Sequence, residues 1–173
     1  DPFAWMRDLE DPALLAHLEA ENTYAQARTE HLADLRRQIF EEIRSRVKET
    51  DLSVPVASGP WWYYSRTVQG QQYPSQVRAP LVDPAVRPDP EETALPGEQV
   101  VVDGNVEAGD SEFFSLGALV VSADHRLVAF AVDTEGDERF DLTIRDIETG
   151  SVLDTSVTGI GYGVELSHDG GFV

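Results

Sequence analysis

The periodicity of this chain changes once, near residue 53, and that change constrains the fold more than any single motif. Before it, Leu32, Leu35, Ile39, Ile43 and Val47 recur at spacings of 3, 4, 4 and 4. Those intervals place five apolar side chains on one helical face, with Arg36, Arg37, Glu41, Glu42, Arg44 and Arg46 mostly around the other. Upstream, Asp11-Pro12 reads as an N-cap followed by proline at the first helical position, and Leu14, Leu15, Leu18 and Ala25 share one side. The pattern over 12–48 suits one helix or two, with Asn22-Thr23 as the expected interruption. From Val54 no helical stripe survives. The chain turns rich in Val, Trp, Tyr and Thr, punctuated by Gly and Pro, as a series of short strands requires.

Gly59-Pro60 opens a strand expected over 61–67, and a turn at Gly70 leads to another over 73–78. Pro84, Pro88, Pro90 and Pro96, with Pro80 just before them, make 83–97 a loop. Val100, Val101 and Val102 restart the strands, which stop at Asp103-Gly104-Asn105. Residues 121–128 then resemble residues 166–173 at an offset of 45. Each copy ends a strand, turns through Ser-x-Asp and starts an apolar strand. Between them lie strands over 127–132 and 140–146 and turns at 134–138 and 148–150, about four short strands per repeat, as in a β-propeller blade. An even spacing of short strands also suits a β-sandwich. The expected fold is therefore mixed: a helical arm over 1–53, then antiparallel β blades of an incomplete propeller over 54–173. The absence of an initiator Met, and a last residue that falls inside an expected strand, suggest a piece of something longer.

Composition narrows the function. The chain has no Cys, which excludes disulfides and thiolate sites and fits a cytoplasmic location. No apolar run approaches membrane-spanning length, and no signal peptide is visible, so no membrane partner is expected. The net charge of −19 is uneven: residues 1–48 hold 7 basic and 10 acidic side chains, and residues 49–173 hold 6 and 22. Such a surface repels nucleic acid. It attracts cationic peptides at low salt, or serves solubility alone.

Several segments together resemble the prolyl oligopeptidase family of serine peptidases, in its oligopeptidase B (protease II) branch. Asp1-Pro2-Phe3-Ala4-Trp5-Met6-Arg7-Asp8 is similar to the family's opening, and Leu18-Glu19-Ala20-Glu21-Asn22-x-Tyr24 to its first helix. Residues 49–55 and 62–66 resemble the passage from arm to first blade. Asp103-Gly104-Asn105, Phe113-Phe114-Ser115-Leu116-Gly117 and Val132-Asp133-Thr134-x-Gly136-x-Glu138 follow in family order. Residues 33–47 and the 83–97 loop match no family motif. The resemblance implies a seven-bladed propeller covering the active site of a C-terminal α/β-hydrolase domain, on which the arm packs. It implies cleavage of short cationic peptides after Arg or Lys, with the Ser-Asp-His triad in the hydrolase part, so catalytic, cofactor and metal residues in this segment are expected to be none and the segment alone inactive.

The residues themselves offer weaker candidates. No Gly-x-Ser-x-Gly elbow occurs. Ser167-His168-Asp169 holds the triad letters side by side, where three contiguous side chains cannot easily form the required relay, and reads as a blade turn. Asp133, Glu135, Asp137, Glu138 and Asp141 invite a calcium reading, but Gly136 and Ile144 stand at the wrong places for an EF-hand, which leaves a solvated hairpin turn. Gly159-Ile160-Gly161-Tyr162-Gly163 has Val164 where a dinucleotide fingerprint needs glycine, and reads as a flexible connection. His17, His31, His125 and His168 show no metal-ligand spacing. Trp61, Trp62, Tyr63 and Tyr64 should alternate two rings to each face of a strand, for blade packing or, in a non-catalytic binding module, for stacking on a partner. A prolyl-specific oligopeptidase is the other alternative. Made alone, the apolar helix face and open blade edge should be adhesive.

Overall fold

The computed structural model describes residues 1–88 and 94–167. The chain divides into two compact units, Asp1–Lys48 and Glu49–Val173.

In the first unit, α1 (Pro12–Thr29) starts where the Asp11 carboxylate accepts the Ala13 N–H at 2.8 Å, with Pro12 at the position where its missing N–H costs nothing. A 3-10 turn, Glu30–Leu32, joins it to α2 (Ala33–Arg44). The expected interruption at Asn22-Thr23 does not occur. The Thr23 hydroxyl donates to the Glu19 carbonyl at 2.8 Å, so its competing polar group is absorbed within the helix. The break falls instead at 30–32, where the Arg36 guanidinium donates to the Thr29 carbonyl at 2.7 Å. The apolar stripe keeps its face: Leu35, Ile39 and Ile43 are 46–60% exposed, and Val47 lies exposed beyond the helix end.

The second unit is two antiparallel sheets. In the first, β1 (Asp51–Leu52) and β2 (Val56–Ser58) both pair with β3 (Trp61–Thr67), followed by β4 (Ser75–Pro80) and β5 (Gln99–Asp103). The second runs β6 (Ser115–Val121), β7 (Leu127–Asp133), β8 (Asp141–Asp146) and β9 (Val152–Asp154) in sequence order. A boundary at residue 53 placed too much in the arm: Asp51 and Leu52 already pair with Thr67 and Arg66, so the sheet unit begins after Lys48. Neighbours in sequence are neighbours in the second sheet, with none of the crossovers that a Greek-key sandwich needs, and this favours propeller blades.

Alternation along each strand builds the core. In β7, Val128 and Phe130 turn toward the first sheet, where they meet Val101 and Val102. Ala129 and Ala131 turn the other way and pack with Phe140 and Leu142. Gly117 makes room for that layer, since a Cβ there would lie 2.3 Å from the Phe140 ring. The far face of the first sheet carries Leu52, Tyr64, Val77, Ala79 and Leu95.

Asp103-Gly104-Asn105, expected only to end a strand, starts a short helix, α3 (Gly104–Ala108). Asp103 caps it through the Asn105 N–H at 2.9 Å, and the Asn105 amide bonds both the N–H and the carbonyl of Tyr73. The first Ser-x-Asp turn forms as expected. Ser122 Oγ donates to Asp124 at 2.6 Å and accepts the Leu127 N–H at 2.8 Å, while His125 takes φ 61°. Its repeat lies mostly outside the described residues, since these omit 168–173, and the Ser167-His168-Asp169 reading falls there too.

Candidate functional site

The seam between the two sheets gathers the chemistry of the second unit. At one end β3 and β4 bring Tyr63 and Arg78 against the Ser122-x-Asp124 turn. The Tyr63 hydroxyl and His125 Nδ1 share a hydrogen bond of 2.9 Å, and their rings stack at 5.9 Å. Arg78 is buried, donates to the His125 carbonyl and to Gln99 Oε1, and lies 4.0 Å over the Trp61 ring. Burial pushes the Tyr63 hydroxyl up from its ordinary pKa, and the Arg78 guanidinium opposes this in part. Gly59, at φ +52°, comes so close that a Cβ would sit 2.1 Å from His125 Nε2. The His125 ring is thus held from two sides.

Elsewhere along the seam Glu107, on α3, meets Arg145, on β8, in a bidentate ion pair of 2.7 and 3.0 Å. The Arg145 guanidinium also lies 4.8 Å from the Phe130 ring centroid. A cavity of about 440 Å³ opens at the seam, walled by Val56, Ser58, Tyr63, the 119–123 run of β6 and its turn, and His125. A second cavity, about 350 Å³ and almost wholly apolar, lies on the far side of the first sheet among Trp62, Ala79, Val82, Val86 and Leu95. Next to that face Tyr64 donates to Glu98 at 2.6 Å and Arg66 pairs with the same carboxylate at 3.0 Å. Burial, followed by the Glu98 hydrogen bond and charge, holds the Tyr64 hydroxyl far above its ordinary pKa.

The residues singled out by sequence take structural places. Trp62 and Tyr64 are buried on one face of β3, while Trp61 and Tyr63 stand half-buried on the other, the alternation expected of that strand. The Asp133 carboxylate is spent on its own turn, accepting the N–H groups of Gly136, Glu135 and Glu138 at 2.7–2.9 Å. Burial works to raise its pKa, but those backbone donors outweigh it and hold the group below the usual carboxylate range. Among the described residues no group of three or more His, Asp or Glu side chains is arranged to hold a metal. The Gly159–163 segment is less free than its glycines suggest, because Ile160 bridges to Phe140 through two backbone bonds of 2.9 and 3.0 Å. Ser122, Asp124 and His125 do not form a relay: the serine bonds the aspartate, and His125 Nδ1 faces Tyr63.

Residues 1–172 match the family described as prolyl oligopeptidase, N-terminal beta-propeller domain. The chain belongs to that family. Oligopeptidase B from Leishmania major superposes with a TM-score of 0.76 at 34% identity, covering 87% of this chain and 20% of that one. Oligopeptidase B from Trypanosoma brucei gives 0.73 at 32%, covering 89% and 21%. Among curated relatives, dipeptidyl aminopeptidase BI of Pseudoxanthomonas mexicana is 36% identical over 98% of this chain and 24% of its own length. Protease 2 of Moraxella lacunata is 29% identical over 92% and 22%. The chain spans about a quarter of the length of these relatives. Membership in the prolyl oligopeptidase family explains why two successive meanders pack face to face, and the matched region is the propeller domain rather than the catalytic one.

Sequence reasoning missed Arg78, the Tyr63–His125 pair and the Glu107–Arg145 pair. Their members lie 38 to 62 residues apart, so no local spacing announces them.

Proposed function

We propose that the protein is a serine oligopeptidase that cleaves short peptides after Arg or Lys, with this chain as its helical arm and the opening blades of its propeller. The propeller limits entry to slender, unfolded peptides, and the exposed α2 stripe is the face on which a catalytic α/β-hydrolase domain packs. The observation that sets this reading above a prolyl-specific one is the gradient of likeness: 34% identity to oligopeptidase B against 22% to a prolyl endopeptidase of similar coverage. The charge of the sheet unit agrees, since 22 acidic against 6 basic side chains over 49–173 favour the approach of cationic peptides. An aromatic binding module fits less well, because Trp62 and Tyr64 are consumed in packing.

A second reading follows from the 36% identity to a dipeptidyl aminopeptidase: removal of dipeptides from a free amino terminus. Both are tested on the protein by comparing kcat/KM for N-blocked Arg and Lys substrates, N-blocked Pro substrates, and dipeptidyl substrates with a free amine. The proposal expects blocked Arg or Lys substrates to lead by tenfold or more, about 1.4 kcal/mol of differential transition-state binding. A lead by free-amine dipeptides transfers the assignment to the second reading, and a lead by Pro substrates refutes both.

A further inference from the structure

We propose that the free edge of β6, facing β2 across the seam cavity, is a docking slot for an extended, positively charged stretch of peptide bound by strand addition. The peptide's identity as substrate rests on the peptidase reading above; the slot itself rests on the geometry of the edge.

Among the described residues β6 pairs with β7 on one side only, and β2 pairs with β3 on one side only. The Ser122 N–H donates to the Leu127 carbonyl at 2.9 Å, which sets the phase of the β6–β7 ladder. Antiparallel alternation then commits the backbone groups of Val120 and Ala118 to β7 and turns those of Leu119 and Val121 outward. Two N–H and two C=O groups, two residues apart, are the complement of an extended peptide backbone. Ser115–Val121 contains no charge and no proline to blunt this edge, and the one register shift of the strand, between Leu116 and Ala118, falls before the Leu119–Val121 stretch. The cavity beside it, about 440 Å³, is walled by Val56 and Ser58 from β2, Tyr63 and His125 from the seam, and Leu119 and Val121 from β6. Those walls suit every second side chain of an added strand, while its other side chains face water.

Charge selects the occupant. A second copy of this chain could also add to a bare edge, but it would bring another strongly acidic unit against 22 acidic and 6 basic side chains over 49–173. A basic peptide meets the opposite sign.

The experiment measures anisotropy of a labelled peptide of about ten residues, alternating Arg and Val, a span of roughly 33 Å when extended. It uses the protein with any reactive serine blocked by a phosphonate, so the readout is independent of cleavage. The expected result is binding that weakens with salt from about 0.05 to about 0.5 M. Binding should weaken about tenfold when alternate peptide nitrogens are methylated in one register and little in the other, as two lost backbone hydrogen bonds imply. Leu119→Pro, which removes an outward N–H without touching a β7 bond, should lose binding similarly, and Val121→Lys serves if that variant misfolds. Equal binding of both methylated registers overturns the proposal, as does a concentration-dependent dimer that disappears in the same variants. Hydrolysis of a blocked Arg dipeptide, measured separately on untreated protein, tells the two readings apart. Cleavage without register-dependent binding sinks the slot alone, and register-dependent binding without cleavage sinks the peptidase reading alone.

Discussion

Removing Glu107 should weaken the sheet unit as a whole, not only the helix that carries it. The pair it forms with Arg145 is bidentate, and the two side chains are 16% and 20% exposed. Breaking a fully buried pair from one side costs about 3–5 kcal/mol, because the survivor is left uncompensated. Residual solvation at these exposures brings the expectation for Glu107→Gln to about 2–3 kcal/mol. Replacing both partners, as Glu107→Gln with Arg145→Met, should recover part of that loss, giving a coupling of about 1.5 kcal/mol or more in a double-mutant cycle. The distribution of tryptophan makes the assay selective: Trp61 and Trp62 sit in β3 of the first sheet, Trp5 in the arm, and none in the second sheet. Urea unfolding followed by tryptophan fluorescence therefore reports on the first sheet while Arg145 is altered in the second. With an m-value of about 2 kcal/mol/M, the single variants should lower the midpoint by about 1 M. Midpoints that move by under about 0.2 M, or single effects that simply add, would refute the claim that this pair joins the sheets.

Gly59→Ala should destabilise the unit by about 2–4 kcal/mol in chemical denaturation, since its Cβ would meet His125 Nε2 at 2.1 Å from a backbone at φ +52°. Phe130→Ala, which empties a fully buried site between the sheets, should cost about 3–5 kcal/mol in the same experiment. Asp133→Asn should lower the neutral-pH Tm by about 5 °C. Because the folded pKa of Asp133 is depressed, its stabilisation is present above the ordinary carboxylate pKa of about 3.9 and is lost as pH falls through the depressed value, so Tm curves of variant and parent should converge in acid. Ile39→Glu with Ile43→Glu should reduce self-association of the 173-residue chain in sedimentation without loss of helical circular dichroism, as both side chains are exposed in α2.

Local rules were legible in the sequence where a residue's partner lies within a few positions. Asp11-Pro12 starts α1, Gly59-Pro60 opens β3, and Ser122 and Asp124 close their turn through atoms at most five residues apart. The alternation of Trp61 to Tyr64 was equally legible, because a strand sends successive side chains to opposite faces whatever lies beyond. Asn22-Thr23 misled for the opposite reason. Polar β-branched residues favour interruption only when their side chains capture backbone groups away from the helix, and Thr23 instead bonds the preceding turn. α3 went unread because Asp103-Gly104-Asn105 serves a turn and an N-cap equally well, and the choice is made by Tyr73, thirty-two residues from Asn105.

Periodicity tells which face of an element is apolar, but it cannot tell what covers that face, and three apolar surfaces of this chain show the consequence. The inward stripe of β7 and the stripe of α2 are both read from spacing alone. Val128 and Phe130 are buried to within 1% of their surface, and Ile39 and Ile43 are 46% and 60% exposed. The difference lies in the partner: β7 finds Val101 and Val102 on the adjoining sheet, whereas the α2 stripe stays open. β6 sits between these cases, since its side chains are half-buried against the seam while one edge of its backbone finds no strand among the described residues. An uncovered side-chain face is satisfied by any apolar surface of matching shape, which suits a large domain partner. An uncovered strand edge is satisfied by hydrogen-bonding backbone, which suits a peptide. The same chain therefore presents two unsatisfied surfaces of different chemistry, and the register dependence of peptide binding is the property that separates them, because an apolar face has no register to lose.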